Sequence, residues 1–220
     1  MEQAHSEMDE RAVTLAGNPA KPQGELGAQM LQRMNRSHGP VTNWALDLLD
    51  LSGCDSALDV GCGGGATLAR LSSRMRQGSG ISVTGVDYSE VSCEQSRERN
   101  AAEVASGRVR VVRASVDDLP FDNESFDVVT TVESFYFWPD PERGLREVLR
   151  VLRPSGRFML VADVYRRPGL PAETLENIAR YEMTVLTPEG YEELLARVGF
   201  SSATSHVEKD EGWIAVEGVK

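Results

Sequence analysis

Three glycines spaced two apart, Gly61, Gly63 and Gly65, follow the apolar run Ala57-Leu58-Asp59-Val60 and precede the helix-forming run from Ala66 to Leu71. Glycine accepts positive φ and carries no Cβ, so this junction brings bare backbone close to a ligand. The helix behind it turns unpaired N–H groups into the same space, which suits a nucleotide-like molecule. At the end of the next apolar run stand Asp87 and Tyr88. A carboxylate there can accept both hydroxyls of a ribose, and the ring beside it offers an apolar face to a base. The two together indicate adenosine recognition.

Groups of this kind need a scaffold that delivers them to one place. Short β-rich runs (57–60, 82–86, 109–113, 126–132, 157–164) alternate with helical ones (65–76, 89–105, 141–152), and such alternation implies parallel pairing. The strands are rich enough in Val to be covered on both faces, which predicts a doubly wound α/β sheet. In an open parallel sheet, ligands lie outside the carboxyl ends of the strands. Polar residues collect at four such ends: Asp59 with the glycines, Asp87-Tyr88, Ala114-Ser115-Val116-Asp117-Asp118, and Glu133-Ser134. A helical excursion at 172–184 and a helix at 188–198 follow. The last runs, 203–208 and 213–217, lie too close together for anything but an antiparallel hairpin. Before the sheet, helices are expected at 26–36 and 41–51, separated by Gly39-Pro40. Residues 1–25 show little apolar periodicity and are expected to form a mobile tail outside a single domain, 26–220.

The 220 residues carry 34 acidic against 23 basic side chains, a net charge of -11. Phosphate-backbone binding requires clustered Lys and Arg, so no nucleic-acid partner is expected. Cys54, Cys62 and Cys93 match neither zinc nor CxxC spacing, and the odd count fits a reducing cytoplasm. No leader-like stretch and no run of about 18 apolar residues appears, so no membrane partner or export is expected either.

Four ordered blocks resemble the class I S-adenosylmethionine-dependent methyltransferases of the small bacterial type: LDVGCGGG (58–65), GVDYS (85–89), DDLPFDNESFDVV (117–129) and EVLRVLRPSGRFML (147–160). The resemblance extends over roughly 26–217. It implies a Rossmann-like sheet of seven strands whose last strand inserts antiparallel beside the fifth, with 26–51 as a helical lid. It implies S-adenosylmethionine as cofactor and S-adenosylhomocysteine as product. It assigns Asp59, Gly61, Cys62 and Gly63 to the methionine half, Asp87 and Tyr88 to the ribose and base, Ser115 and Val116 to the adenine, and Glu133 to the neighbourhood of the sulfonium. Many relatives carry Asp where Ser115 stands.

Gly61, Gly63 and Ala66 also satisfy the G-x-G-x-x-G/A spacing of a nicotinamide dinucleotide site. Asp59, the LPF-x-x-x-x-FD block and the terminal hairpin favour the methyl donor. A cyclase or lyase releasing methylthioadenosine, and a non-catalytic cofactor-binding subunit, are the other readings. The activated methyl demands chiefly an acceptor placed in line, so the sequence names the cofactor better than the acceptor. A small-molecule acceptor is expected among residues 34–44, 133–139 and 163–181, where Trp44, Phe135 to Trp138 and Tyr165 concentrate aromatic surface. Tyr136 is the ring expected beside the sulfonium, and His38 the expected base or polar contact. Asp117, Asp118 and Asp122 read as loop acids, and no metal is expected.

Overall fold

The computed structural model describes residues 13–75 and 82–220. Its seven strands form one sheet in the order β3-β2-β1-β4-β5-β7-β6. They are β1 Ser56–Val60, β2 Ser82–Asp87, β3 Val109–Arg113, β4 Phe126–Val132, β5 Leu152–Ala162, β6 Ser202–Glu208 and β7 Trp213–Val219. The first five pair in parallel, and β7 runs antiparallel to both of its neighbours. The chain reverses its direction of travel across the sheet between β1 and β4. The loops that follow these two strands therefore open a crevice at the switch point.

Helices cover both faces. On one face α6 (Pro141–Val151) and α8 (Pro188–Val198) press on Leu58, Val60, Val129, Phe158 and Leu160. Asp140 caps α6 by accepting the Arg143 N–H at 3.0 Å. Leu145, Val148 and Val151, all on the face of α6 that meets the sheet, are fully buried, each burial contributing about 2 kcal/mol. On the other face α2 (Gly39–Asp47) and α3 (Ala66–Arg74) cover Ala57, Val83, Val128, Met159 and Val161. Every residue of β1 is buried as a result.

Several expected boundaries move. Gly39-Pro40 does not separate the first two helices but opens the second: α1 (Gly24–Ser37) and α2 are joined through His38 alone. Proline has no N–H to lose at the start of a helix, so it fits there. The single helix expected over 89–105 is two, α4 (Glu90–Arg99) and α5 (Ala101–Ala105). They part at Asn100, whose side-chain amide bonds Gly65 O at 3.0 Å and Ser96 O at 2.9 Å. β5 begins at Leu152, five residues before its expected start, with a register shift opposite Phe126 to Val128.

Of the expected tail, residues 1–12 lie outside the described part. Residues 13–17 are helical, and the stretch 18–23 packs against the domain. Pro22 O accepts the buried Ser89 hydroxyl at 2.7 Å, and Gly27 lets Pro22 approach to where a Cβ would stand 3.0 Å from its backbone. The remaining helix, α7 (Ala172–Arg180), lies on the surface with no buried residue. No described helix is long and apolar enough to cross a membrane.

Candidate active site

The crevice is a cavity of about 290 Å³, lined mainly by the loop after β1, the ends of β2 and β4, the segment after β3, and helices α1 to α3. Gly61 has φ +74° and lies so close to Ser134 that a Cβ would overlap its hydroxyl. Gly65 has φ +78°, and a Cβ there would stand 2.6 Å from the Asn100 amide nitrogen. The loop is fastened from outside. Ser96 Oγ donates to Gly63 O at 3.0 Å, Asn35 Nδ2 to Gly64 O at 3.1 Å, and Asn100 Nδ2 to Gly65 O at 3.0 Å. With these carbonyls held by side chains and the N–H groups of Gly61, Cys62, Gly63 and Gly65 given to Val86 O, Asp87 and Cys62 O, the loop meets the cavity chiefly with its α-carbons.

Asp87 fastens the loop from within, accepting the Gly63 N–H at 3.0 Å and the Ser89 N–H at 2.9 Å. Burial raises its pKa, while these N–H groups pull it down. Each oxygen keeps a further lone pair for a ligand hydroxyl. Tyr88, Ser115 and Val116 line the same end of the cavity, roofed by Pro19, Ala20 and Pro22 of the N-terminal stretch. Lys21 Nζ stands 6.0 Å from the centre of the Tyr88 ring. Asp59 lies behind the loop, fully buried, and accepts the Thr130 hydroxyl at 2.7 Å. Burial pushes its carboxyl up to about 7. Cys62 borders the cavity, but its buried thiol packs toward Gly85 and lies 3.4 Å from Ser96 Oγ, and burial raises its pKa.

Glu133 closes β4 at φ +52°, a left-handed turn that aims its side chain toward β5. Its Oε1 accepts the Asp163 N–H at 2.6 Å and its Oε2 the Tyr136 hydroxyl at 2.7 Å. Burial first, and the Asp163 charge second, raise its pKa well above the usual range. His38 meets this pair: ligand atoms of His38, Glu133 and Asp163 all lie within 4.8 Å of one another. Its backbone is spliced into both lid helices, donating to Met34 O and accepting the Thr42 N–H and hydroxyl. Burial lowers the pKa of its imidazole, Asp163 opposes that, and Arg33 adds to it. The lowered pKa favours the neutral imidazole.

The aromatic segment divides. Phe137 and Trp138 line the cavity; Tyr136 does not, its ring being buried and its hydroxyl given to Glu133. Phe135 packs on Tyr191, Trp44 on Trp213, and Tyr165 under Arg167. Of the third expected acceptor segment, Asp163 alone joins the cluster around His38. Ser96 and Asn100 were not singled out from the sequence, and Asn35 and Asp163 entered only as members of the expected acceptor segments 34–44 and 163–181. A signal for two of them was present: Ser92, Ser96 and Asn100 repeat every four residues and are all buried on one helix face, a polar stripe that only a polar neighbour could justify.

The family model described as "Methyltransferase domain" matches residues 58–160. Over 164 residues the chain is 32% identical to the 27-O-demethylrifamycin SV methyltransferase of Amycolatopsis mediterranei, covering 72% of this chain and 58% of that protein. It is 34% identical over 149 residues to the sarcosine/dimethylglycine N-methyltransferase of Halorhodospira halochloris, 67% of this chain and 52% of that one. The chain thus spans about half the length of the curated relatives it matches. Human N-acetylserotonin methyltransferase in complex with S-adenosylmethionine shares the fold, with a TM-score of 0.71 at 18% identity over 89% of this chain and 56% of that one.

Proposed function

The chain belongs to the class I S-adenosylmethionine-dependent methyltransferases, and from that premise we propose that it methylates an O–H or N–H group of a small molecule, with His38 as the base. The observation that carries this reading is the convergence of His38, Glu133 and Asp163 on the cavity that the glycine loop and Asp87 border. The residues present fit the cofactor: Asp87 has lone pairs for the ribose hydroxyls, and Gly61, Gly63 and Gly64 line the cavity beside it without side chains.

When bound, the cofactor supplies a methyl group on a cationic sulfur, transferred in a single displacement that leaves S-adenosylhomocysteine. Tyr88, Ser115 and Val116 border the base, and Asp59, Gly61, Cys62 and Gly63 form or back the wall of the methionine half. A cationic ligand favours the ionised form of Glu133, and Tyr136 fixes its carboxyl. The neutral His38 imidazole takes the proton that the acceptor loses as its oxygen or nitrogen forms the new bond to carbon. Asp163 and Glu133 stabilise the imidazolium that results. The lid helices and the N-terminal stretch keep water out.

We read the cluster as a proton-handling group with no metal in it, the Asp163 N–H and the Tyr136 hydroxyl orienting the Glu133 carboxyl beside His38. The acceptor is read as a small metabolite met in the cytoplasm, with no part for nucleic acid or membrane. Incubating the protein with a metabolite extract and methyl-labelled S-adenosylmethionine tests all of this. A labelled small molecule and S-adenosylhomocysteine are expected, at a rate that EDTA leaves unchanged. Methylthioadenosine as the product would remove methyl transfer.

A further inference from the structure

The cavity holds one charged group that methyl transfer as described leaves unused. Arg70, on α3, is the only lysine or arginine among the described lining residues. Its Nε donates to Asn43 Oδ1 of α2 at 3.2 Å. Among the described residues the other N–H groups of its fork meet no side-chain or backbone acceptor, and no carboxylate comes within 4.0 Å of it. Arg74, one turn along the same helix, shows what is ordinary in this acidic chain: it pairs with Asp47 at 3.0 Å. Arg113, Arg146 and Arg150 find Glu partners in the same way.

Space for the guanidinium is built in. A Cβ at Gly39 would lie 2.9 Å from Arg70 Nη2, so the absence of a side chain there seats the fork against the start of α2, beside His38. Burial, with Arg99 and Arg74 nearby, disfavours the charge of Arg70. The described residues place no anion beside it, so the fork is open to one that a ligand brings.

We propose that Arg70 is the carboxylate-binding residue of the cavity, its fork holding a ligand carboxylate at the α2 side. This rests on the S-adenosylmethionine reading of the site. Two sources share the chemistry: the amino-acid half of the cofactor, and an acidic acceptor lying beside His38.

Calorimetric titration of the wild type, Arg70→Met and Asn43→Ala separates them. S-adenosylhomocysteine carries the carboxylate and methylthioadenosine does not. With the cofactor as source, Arg70→Met weakens S-adenosylhomocysteine at least tenfold and leaves methylthioadenosine unchanged, which also shows that the variant is folded. With the acceptor as source, both nucleosides bind unchanged, and benzoate, a small aromatic acid suited to Phe137 and Trp138, binds the S-adenosylhomocysteine-loaded wild type but not the loaded variant. Asn43→Ala removes the tether and keeps the charge, so it should behave as wild type in every titration. The proposal is overturned if Arg70→Met changes none of these affinities, if it weakens both nucleosides alike, or if Asn43→Ala reproduces its effect. A wild type that binds neither nucleoside defeats the methyl-donor reading instead, and benzoate binding to the unloaded protein then decides the role of Arg70 alone.

Discussion

His38 owes its position to backbone and its protonation to surroundings, and the two can be probed apart. Its pKa lies below the ordinary 6.5, with burial as the first cause. The base form therefore persists to lower pH than in a free imidazole, and is lost as pH falls through the depressed value. On the proposed mechanism kcat/KM should drop on the acid side with an apparent pKa under 6.5, and His38→Gln should abolish that limb. The same variant should lower kcat by about 10²- to 10⁴-fold while S-adenosylhomocysteine affinity stays near wild type. An unaltered kcat would take His38 out of the chemistry. Its candidacy was legible because a lone histidine at a helix joint is conspicuous. Its pairing with Asp163 was not, since nothing local links His38 to a carboxylate 125 positions away that the β5 terminus delivers.

Among the elements, the glycine loop and α4 behave as one unit. Ser96 and Asn100 project from α4 and its end to hold two loop carbonyls, and Asn35 of the lid holds the one between. Asn100→Ala would leave Gly65 O without its partner and the α4–α5 break without its cause. A loss of about 1–3 kcal/mol in stability is expected, read as a lowered Tm, together with several-fold weaker S-adenosylhomocysteine binding. A variant that loses stability but binds normally would show that the clamp serves the helix alone. Most element boundaries followed from Val-rich runs and caps, because these signals are local. The split at Asn100 and the early start of β5 did not, since both depend on pairing with residues distant in sequence. The contacts of the N-terminal stretch were not legible for the same reason: its low periodicity gives no sign that Pro22 bonds Ser89 or that Pro19, Ala20 and Pro22 line the cavity.

Across the whole molecule, net charge and buried charge oppose one another. The chain carries -11 overall, yet Asp59, Asp87 and Glu133, grouped around one cavity, are all pushed toward their neutral forms by burial. A carboxyl whose folded pKa exceeds its unfolded one holds its proton longer in the folded state, so stability falls as pH rises between the two values. For Asp59 that window runs from about 4, the ordinary carboxylate value, to about 7. A cationic ligand favours the ionised forms and should expel protons as it binds. S-adenosylmethionine affinity is accordingly expected to increase from pH 5 to pH 7.5. Titration in two buffers of different ionisation enthalpy should reveal net proton release, and its absence would mean that the carboxyls are already ionised in the empty site.

The placement of β7 between β5 and β6 has a consequence for synthesis. β6 precedes β7 in the chain but touches the sheet only through it, pairing with β7 along Ser202 to Glu208. While the ribosome is still making β7, the β5 edge stands open and β6 has no neighbour to join. Final closure must therefore wait for Trp213–Val219 to emerge, making the nascent chain most exposed to edge-to-edge association just before that point.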